Sequence, residues 1–163
     1  MRIGIALPHT FIAYHKLFVN SFLCLERTED MALLTPNSTG PIDSVRNELC
    51  QQAMMLDCTH IFWADTDQVY PVNTLTKLIS HNLPIVCAKV HRRNAPYDAL
   101  LKRYNPDSTD EMNPYIDIDY DEWRFNSDSS GLLEVDATGF GCNLMDIEVI
   151  ERMPKPWFLN QLY

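Results

Sequence analysis

Short apolar runs separated by helix-like stretches leave this chain few possible folds. Residues 2–7 are apolar at nearly every position, which suits a strand buried on both faces. Leu17, Phe18, Phe22, Leu23 and Leu25 then recur at helical spacing between about Ile12 and Glu26. Met31–Thr35 is a second apolar run. The loop Pro36-Asn37-Ser38-Thr39-Gly40-Pro41 follows it with strong turn chemistry. Ile42–Leu56 reads as a second helix, with Val45, Leu49, Ala53 and Leu56 on one face and Asp43 or Ser44 as cap. His60–Ala64 is a third strand, Pro71–Ser80 a third helix with proline near its first turn, and Leu83–Ala88 a fourth strand. This alternation predicts an α/β fold: a mixed, mostly parallel sheet flanked by helices.

The pattern changes after Lys89. Ala99–Tyr104, Tyr115–Tyr120 and Leu132–Ala137 read as short strands in a polar setting, and Asp146–Met153 as a short helix capped by Asp146. Of the 22 acids, ten fall between Asp107 and Asp136, beside the single base Arg124, and the rest of the chain balances twelve acids against twelve bases. The net charge of −9 is therefore local, a solvated acidic stretch that argues against nucleic acid along that surface. A chain of 163 residues is expected to form a single domain, with 1–93 reading as a nucleotide-binding α/β half and 94–163 as an irregular mixed half. No apolar run reaches the roughly 18 residues of a membrane span. Five scattered cysteines without a C-x-x-C pair are expected to be buried free thiols in a reducing, cytoplasmic setting.

The chemistry concentrates in a few places. Asp65-Thr66-Asp67 ends the apolar run Ile61-Phe62-Trp63-Ala64. In open parallel sheets ligands bind beyond the carboxyl ends of strands, and two carboxylates there suit a hard divalent cation holding a diphosphate. Two residues apart on an extended segment, both can face one side. The competing explanation is a simple turn or helix cap. Arg46 and Asn47 lie near a helix N-terminus, where a bound phosphate would offset an unfavourable arginine. Surface pairing of Arg46 with Glu48 or Asp43 explains it equally well. Lys89, His91, Arg92 and Arg93 form a basic cluster after the fourth strand, beside the third in a simple ordering, either a diphosphate partner or a solvated edge. In Val135-Asp136-Ala137-Thr138-Gly139-Phe140-Gly141-Cys142, the two glycines permit positive φ and close backbone approach, and Asp136 is a candidate acceptor-side carboxylate. A plain β-turn is the alternative. The histidines show no metal-ligand spacing, and His9 stands out only for ending the first strand. Trp157-Phe158 suits the core or a sugar-stacking wall.

Four segments together, Ile42–Asn47, Ile61–Asp67, Ile85–Arg93, and Val135–Met145 with Pro156-Trp157-Phe158, resemble the GT-A glycosyltransferases of bacteriophages and bacteria, relatives of the family-two type. The resemblance spans about residues 2–158. It implies a GT-A-like (Rossmann-like) fold, a UDP- or GDP-sugar donor and Mn²⁺ or Mg²⁺. It implies that Asp67 binds metal directly, with Asp65 on the ribose or reaching the metal through water. Leu7-Pro8-His9 would line the nucleotide, and Arg46 would lie by its diphosphate. Asp136 with Gly139 and Gly141 would face acceptor and donor sugar. The acceptor is open: a glycan, a protein, a lipid-linked sugar or a modified DNA base. In that family a further segment after Pro-Trp-Phe supplies a catalytic base and a last metal ligand. This sequence stops at Tyr163 with no histidine after His91, so it is expected to be a C-terminally incomplete piece. Two other readings compete. A haloacid-dehalogenase-like phosphatase would use Asp65 as nucleophile, but that family carries its D-x-D on the first strand. A catalytically silent binding subunit would do neither chemistry. A sugar-nucleotide pyrophosphorylase is disfavoured, because no Gly-rich basic loop follows the first strand.

Overall fold

The computed structural model describes residues 1–9, 13–28, 30–37, 39–92, 94–110, 113–119, 121 and 131–159. The chain forms two compact units. The first is Met1–Ala88 together with the segment that begins at Gly141, and the second is Lys89–Phe140. The division therefore falls at Ala88 and Gly141 rather than near residue 93.

The first unit contains β1 (Ile3–Ala6), α1 (Lys16–Leu23), β2 (Met31–Leu34), α2 (Ile42–Met55), β3 (His60–Ala64), α3 (Thr74–Ser80) and β4 (Ile85–Cys87). The second contains β5 (Leu101–Tyr104), β6 (Tyr115–Asp117) and β7 (Ala137–Thr138). The chain then returns to the first unit for β8 (Cys142–Asp146) and α4 (Ile147–Arg152). The five-stranded sheet has the order β2-β1-β3-β8-β4. β1 pairs in parallel with β2 and β3, and β8 runs antiparallel to both β3 and β4. Four strands thus point one way and β8 the other, so the mixed, mostly parallel expectation holds at that level.

β8 overturns one expectation. β4 is not beside β3, because Cys142–Asp146 hydrogen-bonds to both and separates them. The strand escapes the sequence pattern because it follows a glycine loop and carries Asn143 as its second residue, which interrupts the apolar run. The strand read at Leu132–Ala137 shrinks to Ala137–Thr138. Before it, Asp136 takes over pairing with β5 through its amide to the Lys102 carbonyl (3.0 Å).

The sheet's two faces are covered by different partners. Phe62 points to Tyr70, which meets Phe18 of α1, each pair of ring centroids 6.2 Å apart. Trp63, one residue on, points the other way and meets the Phe158 ring edge-on at 5.5 Å. That alternation explains why every residue of β3 after His60 is buried. Gly4 is required by close packing. A Cβ there would lie 2.7 Å from Leu34 Cδ1 and 3.2 Å from Cys58 Sγ.

Helix ends differ from expectation in informative ways. α2 starts after Pro41 with no side-chain cap, and Asp43 sits in its first turn as a charge favourable to the dipole. Its buried residues are Val45, Leu49, Cys50 and Ala53, while Leu56 is exposed at the C-terminus. α1 is shorter than its periodicity suggests, and Ile12 lies outside the described residues. α3 starts at Thr74, whose hydroxyl and amide both donate to the Pro71 carbonyl (2.8 and 3.1 Å). Asp146 precedes α4 as expected but makes no side-chain cap; its carboxylate pairs with His60 instead (2.6 Å).

All five cysteines are free; Cys24 is exposed, and Cys50, Cys58 and Cys142 are buried. Among the described residues no helix is long and apolar enough to cross a membrane. Burial pushes the Cys50 and Cys142 thiols up to about 12 and Cys87 up to about 11, from an ordinary value of 9.0. Unfolded thiols lose protons that the folded chain keeps, so stability falls as pH rises from 9 toward 11–12 and levels off above. Below that window these groups contribute no pH dependence. Urea midpoints at about pH 8 and about pH 10.5 should show a clear drop at the higher value, each thiol costing up to about 1.4 kcal/mol per pH unit. An unchanged or higher midpoint would contradict the burial of these thiols.

Candidate ligand site at the carboxyl ends of the strands

β2 and β3 lie on opposite sides of β1. The chain leaves β1 toward one neighbour and later returns to the other. The carboxyl ends of β1 and β3 therefore mark the reversal point of the sheet, the place where ligands sit in open α/β sheets. Pro8 and His9 follow β1 there, and Asp65 follows β3. Pro8 is buried; His9 is half-buried with its ring edge-on to Tyr14 at 4.8 Å.

Asp65 is held at three points. Its amide donates to the Gly141 carbonyl (3.0 Å), and its own carbonyl accepts from the Tyr70 hydroxyl (2.8 Å). Its carboxylate lies 3.5 Å from the Arg46 guanidinium, with side-chain exposures of 27% and 19% respectively. Arg46 therefore pairs across to β3's end rather than with Glu48 or Asp43. The Tyr70 hydroxyl also reaches the Gly141 carbonyl (2.9 Å), so one phenol ties the D-x-D turn to the start of β8. Burial drives the Tyr70 phenol well above its ordinary value, with the nearby Cys142 and Asp65 adding to the shift. Tyr70→Phe removes that donor from two carbonyls and should cost about 1–3 kcal/mol, read from urea unfolding. An unchanged midpoint would show that the two bonds contribute nothing.

Asp65 leaves the strand and Thr66-Asp67 form a turn, with Asp67 exposed. The two carboxylates are thus not presented by extended backbone. Among the described residues no group of three His, Cys, Asp or Glu side chains could hold a metal ion. The remaining donor set is two carboxylates. It fits the mode in which Mg²⁺ or Mn²⁺ takes one or two protein carboxylates and fills its shell with substrate phosphates and water.

Gly141 does not adopt positive φ; among the described glycines only Gly131 does. Its role is space. A Cβ there would overlap the Gln68 carboxamide and come within 3.0 Å of Asp65 Oδ2. Gly139 is tight in its own unit, 2.9 Å from Leu100 Cδ1 on the same measure, and also lacks positive φ.

The other sequence-predicted residues are committed elsewhere. Asn47 Nδ2 donates to the Asp43 and Phe158 carbonyls (2.8 and 2.7 Å), and its Oδ1 accepts from the Phe158 amide (3.2 Å). It grips chain rather than presenting an open amide. In the second unit, exposed Asp136 accepts from the Tyr104 amide through Oδ2 (2.8 Å), and Arg92 pairs with Asp117 (3.5 Å). Lys89 is half-buried at the start of that unit, and Arg93 lies outside the described residues. Tyr70, Gln68 and Phe158 complete the arrangement around Asp65 and Arg46. Sequence reasoning passed over the first two; the only pointer was their place within five residues of the D-x-D.

A cavity of about 420 Å³ opens at the opposite end of β3, lined by His60, Leu78, Pro84, Leu144, Asp146 and Glu148 among others. It is remote from the carboxylates, and its His60–Asp146 pair lies on the β3–β8 register.

Fold and site define an α/β protein with a mixed, mostly parallel five-stranded sheet and a second small three-stranded sheet. No family model matches the chain, and no curated protein does. Among solved structures it is similar to A197 from STIV, with a TM-score of 0.58 and 16% identity over 98% of this chain and 72% of that one. At that identity the likeness is one of fold.

Proposed function

We propose that this chain is a metal-dependent glycosyltransferase of the GT-A type, moving a sugar from a UDP- or GDP-sugar to an acceptor hydroxyl. The observation that carries the reading is the Arg46–Asp65 pair at the carboxyl end of β3, on the strand that runs parallel to β1 and its Pro8–His9 exit. Pro8 and His9 line the nucleotide. Arg46, already beside a carboxylate, offers fork-shaped donors to a diphosphate. Asp67 and Asp65 hold the Mn²⁺ or Mg²⁺ ion, which as a Lewis acid stabilises the departing diphosphate.

The test is calorimetric titration of UDP and GDP with and without Mn²⁺. Mn²⁺-dependent binding should fall by at least about tenfold in Asp67→Ala, a loss of about 1.4 kcal/mol. Hydrolysis of a simple phosphate ester, lost in Asp65→Asn, would replace this reading with the phosphatase one. Neither activity would favour a silent subunit.

A further inference from the structure

The sequence pairs Arg46 with Asn47 as neighbours of one ligand, but the structure gives them different work. Asn47 spends both amide protons and a lone pair on backbone, two of these three bonds going to the Phe158 amide and carbonyl. Phe158 is far away in sequence, so this grip fixes the end of the chain that follows α4. The Phe158 ring stands edge-on to buried Trp63, and the Arg46 guanidinium lies over the Phe158 ring, 5.7 Å from its centroid. The same guanidinium lies 3.5 Å from Asp65. A long, flexible arginine is thus seated on an aromatic platform, and the platform is held by its sequence neighbour.

We infer that Asn47 and Phe158 are positioning residues for Arg46: Asn47 grips the Phe158 backbone, the ring supports the guanidinium, and the guanidinium is kept at the carboxyl end of β3. The ligand class is the diphosphate of a nucleotide, so this part rests on the function proposed above. The physical gain is preorganisation. An arginine already ordered loses less rotamer freedom on meeting phosphate, and its planar group stays aligned for paired hydrogen bonds. Phe158 thereby belongs to the donor site as the support of Arg46. Release of this segment weakens diphosphate binding without altering either carboxylate.

The test uses the full chain and two readouts. The Arg46 Nε–H signal in proton–nitrogen NMR spectra reports its seat on the Phe158 ring through the ring-current shift. Calorimetric titration of UDP or GDP with Mn²⁺ reports the ligand. Asn47→Leu breaks the grip, Phe158→Ala removes the platform while leaving the backbone bonds, and Phe158→Tyr keeps both. The first two should move the Arg46 signal to an unstructured position and weaken nucleotide binding by about tenfold. Phe158→Tyr should retain both readouts. In an Arg46→Ala background the first two should weaken binding no further, because they act through that guanidinium. An Arg46 signal unmoved in both variants overturns the inference. So do losses that multiply undiminished in the Arg46→Ala background, which would mark the grip as a general structural contact. If the wild-type chain binds neither nucleotide, the proposed function fails, and the Arg46 signal still decides whether Asn47 and Phe158 position the guanidinium.

Discussion

Phe62→Ala should lower stability by about 3–5 kcal/mol, seen as a large drop in the urea midpoint with little change in slope. Phe62 has no exposure and lies at the middle of the central strand, level with Ile5 of β1 and Leu144 of β8. Truncation removes the ring that Tyr70 packs against and leaves a void that hydrogen-bonded strands on both sides cannot close. Against a typical total of about 5–15 kcal/mol, that loss is a large share. Leu33 on edge strand β2 makes the contrast. It is 58% exposed, and Leu33→Ala should stay within about 0.5 kcal/mol. Similar losses at both positions would mean that the sheet's centre lies elsewhere.

The second large effect is expected at Gly141. Gly141→Ala should sharply reduce Mn²⁺-dependent nucleotide binding while costing about 1–3 kcal/mol of stability. The new methyl must occupy the space of the Gln68 carboxamide and press on Asp65, the residue whose amide and carbonyl are already tied to this point. Gln68 is a flexible side chain and can swing away, so the fold survives. Asp65 is pinned at three points and must shift its carboxylate. Adding Gln68→Ala frees that space and should restore most of the stability, since the remaining approach to Asp65 Oδ2 is 3.0 Å. Thermal melts and the same titration, run on the single and double variants, separate the two effects. If Gly141→Ala binds like the wild type, the glycine is not what shapes the D-x-D turn.

The apolar pattern of the first half carries the fold far. His60–Ala64 appears with the bounds read from it, and β1, β2, β4, α2 and α3 lie within a few residues of theirs. Their signals are local: continuous burial for strands, and a repeating face for α2. β8 was missed for the opposite reason. Its identity as a strand is decided by two partners distant in sequence, and nothing local marks it except the glycine before it. The candidate site divides along the same line. Asp65 and Asp67 draw notice in the sequence because a strand exit is a local event. The partner of Arg46 was not, since local reasoning offers only residues on the same helix turn, Asp43 and Glu48, whereas the observed carboxylate arrives from another element. Asn47 draws notice as a neighbour of Arg46, and the structure shows its carboxamide bonded to the backbone of Asp43 and Phe158. A carboxamide looks the same in sequence whether it will meet a ligand or a distant stretch of backbone.

The antiparallel strand in the middle of the sheet also sets how this chain tolerates change. The amide of Ala88 donates to the carbonyl of Cys142 (2.9 Å), continuing the pairing of β4 with β8. The whole of Lys89–Phe140 is therefore an insertion that leaves and rejoins the chain between two paired strands of the first unit. Its length is not dictated by the connections of the sheet that carries the D-x-D turn.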